Sequence, residues 1–118
     1  MGNRLRIWLD DTRPIPEGYT HSCRWPSEVI ALLQKAEQDG DIVECVSLDH
    51  DLGDIGATKE RTGYDVIAWI EEQVITRGFI PPRTCLIHTD NPVARDRMMS
   101  ARKSAYTKAQ SMGINWRR

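Results

Sequence analysis

The sequence predicts a mainly parallel, three-layer α/β sheet of about five strands, and three observations lead there. Short apolar runs alternate with amphipathic stretches of helical period, in the order β-β-α-β-α-β-α-β. The run Ile42–Leu48 is almost wholly apolar, as suits a strand buried on both faces. Three polar clusters, Asp10-Asp11, Asp49-His50-Asp51 and His88-Thr89-Asp90-Asn91, each directly follow an apolar run. In a parallel sheet the carboxyl ends of neighbouring strands lie side by side, so the clusters are expected to converge on one edge.

Leu5–Leu9 alternates weakly and stops at acids, which reads as the first strand. Arg13–Gly18 holds two prolines and a glycine, so it is a loop with no helix. Tyr19–Arg24 is a short second strand. Pro26-Ser27 opens a helix whose apolar face is Val29, Ile30, Leu32 and Leu33, and Asp39-Gly40 closes it. After the Ile42–Leu48 strand, residues 53–63 are polar and glycine-rich, a loop leading to Thr62 as helix cap. Val66, Ile67, Trp69, Ile70 and Val74 form the buried stripe of that second helix, which ends at Gly78. Pro81-Pro82 forces a turn, Thr84–Ile87 is the fourth strand, and Asn91-Pro92 starts the last helix. Ile114–Trp116 is read as a fifth, edge strand.

A chain of 118 residues is one domain's worth, taken as 1–118, with enough length for one hydrophobic core. Its 40% hydrophobic and 28% charged residues are ordinary for a water-soluble globule. No apolar run reaches membrane-spanning length, and Met1–Arg4 leads into a strand, so neither a signal peptide nor a membrane is expected. Arg6 stands where a myristoylation pattern needs serine or threonine. Cys23, Cys45 and Cys85 fall inside strands without metal-type spacing; they read as small core hydrophobes in a reducing cytoplasm. Net charge is −1 but uneven: residues 93–118 carry seven bases against one acid, +6, which leaves −7 for the rest. A basic last helix beside an acidic pocket suits a phosphate held with a cation, although a solvated helix face gives the same pattern.

Carboxylates crowded together repel unless a cation joins them. Asp10, Asp11 and Asp49 form an all-oxygen set suited to Mg²⁺ or Mn²⁺, with Asp51 two residues on. A strand-ending turn alone also explains one acidic pair; two clusters in register favour the site. His88 precedes a helix start, whose free N–H groups suit a phosphate, and an imidazole there can donate a proton to a leaving alkoxide. Thr89, Asn91, Arg95 and Arg13 are the candidate phosphate ligands, with Arg13-Pro14 as a loop brace the plainer alternative. His50 sits between two acids and faces the other way; His21 lies mid-strand. Trp25 and Tyr19 are the aromatics near the rim, Tyr64 sits on the loop side, and Trp8, Trp69 and Trp116 read as core.

The segments WLDDTRP, SLDHDLGD, TGYDV and HTDNPVARDRM, in that order, resemble the cyclic-phosphate processing receiver-like domains, relatives of response-regulator receivers. The resemblance implies a receiver-like, flavodoxin-like fold and the handling of a cyclic phosphate, such as an RNA 2′,3′-cyclic end or a cyclic nucleotide. By it, Asp10 and Asp11 match the acidic pair after the first strand, Asp49 the phosphoacceptor, and Thr89 the hydroxyl after the fourth strand. Two features depart from ordinary receivers: Asn115-Trp116-Arg117 offers no lysine, and the Arg13–Gly18 loop stands where a helix is usual. His88 and Asn91 fit the cyclic-phosphate branch alone.

The resulting expectation is a metal-dependent phosphoesterase for a cyclic phosphate. Asp10, Asp11 and Asp49 hold the cation, Asp51 orients water, His88 is general acid or phosphate ligand, and Arg13, Thr89, Asn91 and Arg95 hold the phosphate. Two rivals stand beside it: a protein that binds a cyclic nucleotide without cleaving it, and a signalling receiver phosphorylated on Asp49.

Overall fold

The computed structural model describes residues 2–49 and 62–114. The strands are β1 (Arg4–Leu9), β2 (His21–Cys23), β3 (Ile42–Leu48) and β4 (Thr84–Ile87); the helices are α1 (Pro26–Asp39), α2 (Gly63–Arg77) and α3 (Pro92–Ser111). All strand pairs are parallel, in the order β2-β1-β3-β4. The α/β, receiver-like architecture is the one expected, with four strands among the described residues where about five were expected. Ile114 lies in no strand, and Asn115 and Trp116, the rest of the expected fifth strand, lie outside the described residues. The expected second strand shortens from Tyr19–Arg24 to His21–Cys23.

Local chemistry sets the helix ends. Pro26 occupies the first turn of α1, and the Glu28 carboxylate accepts the backbone N–H groups of Arg24 and Trp25 at 2.8 and 2.9 Å. At α2 the Thr62 hydroxyl accepts from Tyr64 N–H and the Asp65 carboxylate accepts from Thr62 N–H, a reciprocal cap. The Asn91 side chain caps α3 by accepting from Ala94 N–H at 3.1 Å.

The helices gather on one side of the sheet. Leu5, Ile7 and Leu9 of β1, with Val46 and Leu48 of β3, share one buried cluster with Val29 and Leu33 of α1, Val66, Ile67 and Ile70 of α2, and Met98 of α3. Each of these large side chains contributes roughly 1.5–3 kcal/mol by leaving water. The handedness of parallel crossovers explains the arrangement. The β2-α1-β3 and β3-α2-β4 connections both run toward β4 and so lie on the same face. The β1-to-β2 connection runs the other way, and there the Arg13–Gly18 loop replaces a helix, as the prolines require. Among the described residues, the second helical layer of the three-layer expectation is therefore not formed.

On that helix-free face strand alternation stacks three rows. Arg6, Cys45 and Thr84 are cross-strand partners, as are Trp8, Ser47 and Leu86. One pleat further on stand Asp10, Asp49 and His88. The cysteines behave as core residues: all three are buried and free, and burial pushes the Cys23 and Cys85 thiols up to about 12. No helix among the described residues is long and apolar enough to cross a membrane.

The start of α2 is fastened to the end of β3. Gly63 N–H donates to the Asp49 carbonyl at 3.1 Å, and a Cβ on Gly63 would lie 2.3 Å from that oxygen. Gly63→Ala is therefore expected to lower unfolding free energy by at least about 2 kcal/mol. Urea denaturation measures this, and an unchanged midpoint would show that α2 can shift at no cost.

Candidate functional site

Three backbone hydrogen bonds bring the clusters together. Asp10 N–H donates to Cys23 C=O at 3.0 Å, Asp49 N–H to Leu9 C=O at 3.1 Å, and His88 N–H to Leu48 C=O at 3.0 Å. Each cluster thus begins where the ladder of the neighbouring strand ends. Asp10 and Asp49 are buried and His88 is nearly so; one potential ligand atom from each lies within 4.8 Å of the others.

The Asp10 carboxylate is saturated on one oxygen. Oδ1 accepts the backbone N–H groups of Thr12 and Arg13, both at 2.9 Å, while Oδ2 faces His88 Nε2 at 3.1 Å. Burial alone raises this carboxyl, but the two backbone donors and the imidazole outweigh it and hold Asp10 below the ordinary aspartate value. For His88 the balance runs the other way: burial drives the imidazole below its usual value, and the bond to Asp10 offsets this only in part. At neutral pH the pair is therefore carboxylate and neutral imidazole. An ionised carboxylate only accepts, so Nε2 carries the proton and Nδ1 accepts from the Ser47 hydroxyl at 2.7 Å. The Trp8 indole lies parallel to the ring, 3.9 Å between centroids at 3°, and fixes its plane. His88 of the β4 end thus reaches across to β3 and β1, held by Asp10, Ser47 and Trp8.

Arg13 closes one side. Its Nη2 donates to Asp90 at 2.7 Å, its Nη1 to the His88 carbonyl at 3.2 Å, and its Nε stands 3.9 Å from Asp10. The Asp90 carboxylate raises the Arg13 value further and keeps the guanidinium charged. The remaining candidates divide. Asp11 is half-buried, stands in the bend that the Asp10 carboxylate closes onto Thr12 and Arg13, and is not part of the converging group. Thr89, also one residue out of step with the row, is fully buried; its hydroxyl accepts from Asn91 N–H at 3.2 Å and its carbonyl accepts from Arg95 Nη2 at 2.8 Å. Asn91 caps α3. Thr89, Asn91 and Arg95 therefore build the strand-to-helix turn that carries His88, and Arg102 is likewise engaged, donating to the Cys85 carbonyl. Asp51 and His50, with residues 53–61 of the loop expected over 53–63, lie outside the described residues; Thr62 caps α2 and Gly63 begins it. Sequence reasoning missed Ser47; Trp8 is buried, as its reading as core expected, and it also stacks on His88. The signal was the alternation in β1, whose Arg4, Arg6 and Trp8 share a face.

The donor set tolerates a cation. Two atoms bound to one small divalent ion stand at most about 4.2 Å apart, from bonds of about 2.1 Å, so sub-ångström shifts bring a carboxylate oxygen of Asp10 and one of Asp49, within 4.8 Å of each other, into range. Two buried carboxylates side by side also gain most from such a charge.

A parallel sheet of this order, with acids after β1 and β3 and a polar turn after β4, defines a receiver-like α/β protein. Residues 5–104 match the model of the cyclic-phosphate processing receiver domain, and the chain belongs to that family. No curated protein and no solved structure matches it.

The two shifted groups set the acid side of the stability profile. His88, with its folded value depressed, binds its proton more readily in the unfolded chain, so stability falls as pH drops below about 6.5 toward the folded value. Asp10 adds a second loss as pH falls below 3.8 toward its own depressed value. Urea titrations in chelator across pH 3–8 are expected to show both declines, and His88→Gln to remove the upper one. A His88→Gln profile as steep as wild type between pH 5 and 7 counts against the assignment.

Proposed function

We propose that the protein hydrolyses a cyclic phosphodiester at this edge with the help of a divalent cation, Mg²⁺ or Mn²⁺. The observation that carries the reading is the convergence of Asp10, Asp49 and a proton-bearing His88 Nε2 beside the Arg13 guanidinium. One nitrogen cannot both ligate a cation and carry a proton. The bonds to Asp10 and Ser47 leave the proton on Nε2, so the carboxylates of Asp10 and Asp49, with Asp11 at the margin, are the cation's ligands. When bound, the cation supplies neutralisation of the phosphate charge as it builds.

The chain's own residues supply the rest. Arg13 keeps N–H groups beyond those used on Asp90 and His88, and directs them at non-bridging phosphate oxygens. Thr89, Asn91 and Arg95 hold the start of α3 beside that phosphate. Asp51 keeps its sequence-based assignment of orienting the attacking water. Water adds to phosphorus as one ring P–O bond breaks, the proton the water loses reaches the departing alkoxide through solvent, and the neutral His88 imidazole keeps its Nε2–H and donates a hydrogen bond to that oxygen as charge builds. The product is a phosphomonoester with a free hydroxyl, and Asp10 steadies the imidazole throughout.

Purified protein with Mg²⁺ or Mn²⁺ is expected to open 2′,3′-cyclic nucleotides or cyclic dinucleotides, and chelator to abolish this. His88→Gln should lower kcat/KM by about 10²- to 10⁴-fold while leaving metal affinity in place. Equal loss of metal binding in His88→Gln would make the imidazole a ligand instead. Absence of turnover for every cyclic phosphate, with tight binding kept in chelator and ligand recovered intact, would falsify hydrolysis in favour of sequestration.

A further inference from the structure

Beside the acidic row, a cavity of about 250 Å³ opens between the starts of α2 and α3, lined by Thr62, Tyr64, Asp65, Ala94 and Arg97. It adjoins the site through both helices. Gly63 is bonded to Asp49, so Tyr64 stands one residue, about 3.8 Å along the chain, from that contact. Ala94 is bonded to Asn91, three residues after His88.

The polar groups at the start of α2 are engaged with one another, since the Thr62 hydroxyl and Asp65 carboxylate complete the helix cap. What the cavity offers a ligand is therefore flat. The Arg97 guanidinium lies over the Tyr64 ring, 5.2 Å from its centroid, with the Ala94 side chain alongside. Stacked guanidinium and phenol rings are surfaces that a purine or pyrimidine accepts without regard to its hydrogen-bonding edge. Among the described residues, the aromatics on the helix-free face and at the β2 edge are engaged elsewhere. Trp8 has His88 against one face and Tyr19 at 5.4 Å edge-on, and Tyr19 carries Arg6 over its ring. Trp25 precedes α1 beyond β2, at the sheet edge opposite β4.

Resting on the cyclic-phosphate reading above, we propose that this cavity is a base subsite, so that the ligand is a cyclic phosphate carrying a nucleobase. The phosphate lies at Asp10, Asp49 and Arg13, and the base stacks on the Arg97–Tyr64 tier.

Calorimetry in Mg²⁺, with the ligand checked afterwards for hydrolysis, compares uridine 2′,3′-cyclic phosphate with base-free ethylene cyclic phosphate. Arg97→Ala and Arg97→Lys are both expected to weaken the nucleotide about tenfold and leave the base-free compound unchanged, because lysine keeps the charge but not the plane. Tyr64→Leu should act in the same selective way; Arg97, being exposed, serves as the variant with least risk to folding. Equal weakening of both compounds, or full rescue by Arg97→Lys, overturns the subsite and leaves the phosphate site standing. Wild-type protein that binds neither compound removes the functional reading and the subsite with it.

Discussion

Everything at the functional edge depends on the register of four parallel strands. A shift of one residue in any of them would turn its whole set of side chains to the other face. The pairing of Leu9 with both Cys23 and Leu48, and of Leu48 with Ile87, fixes where each strand hands over to its polar cluster. Apolar burial on the helix side enforces that register: a slipped β3 would carry Val46 and Leu48 into water and Ser47 into the core. The site inherits its geometry from the fold's largest stabilising term, and needs little local reinforcement for its backbone.

The missing helix after β1 has a second effect. In an α/β sheet with both faces covered, a side chain such as His88 can only stand at the strand ends. Here the prolines of the Arg13–Gly18 loop keep the chain thin over β1, and the imidazole lies down against Trp8 and Ser47. The site is thereby a strip that turns from the edge onto the face. Its histidine gains three fixed partners that an edge position would not supply.

Much of this was legible in the sequence, and the failures share a cause. Strand and helix positions followed from periodicity, proline and glycine, and the convergence of three clusters followed from parallel topology. Asp11 and Thr89 stand outside the row of Asp10, Asp49 and His88, because residues adjacent in sequence at a strand end do not share a side of the sheet. Ser47 was invisible, since a small residue within a buried run carries no mark until a histidine from another strand reaches it. The basic charge of the last helix was counted correctly, yet Arg95 and Arg102 are engaged with backbone carbonyls, which charge counting cannot detect.

The bond between Gly63 and Asp49 also bears on how such a protein can diverge. It places the departure of the chain from β3 and its return at α2 side by side, so whatever lies between is closed at its base by the fold itself. The entropy of closing a loop rises only slowly with length, about 0.6 kcal/mol per doubling. Insertions between Asp51 and Thr62 therefore leave the sheet, the α2 cap and the acidic row unaffected. The chain can be lengthened over this interval while the row of Asp10, Asp49 and His88 is inherited unchanged.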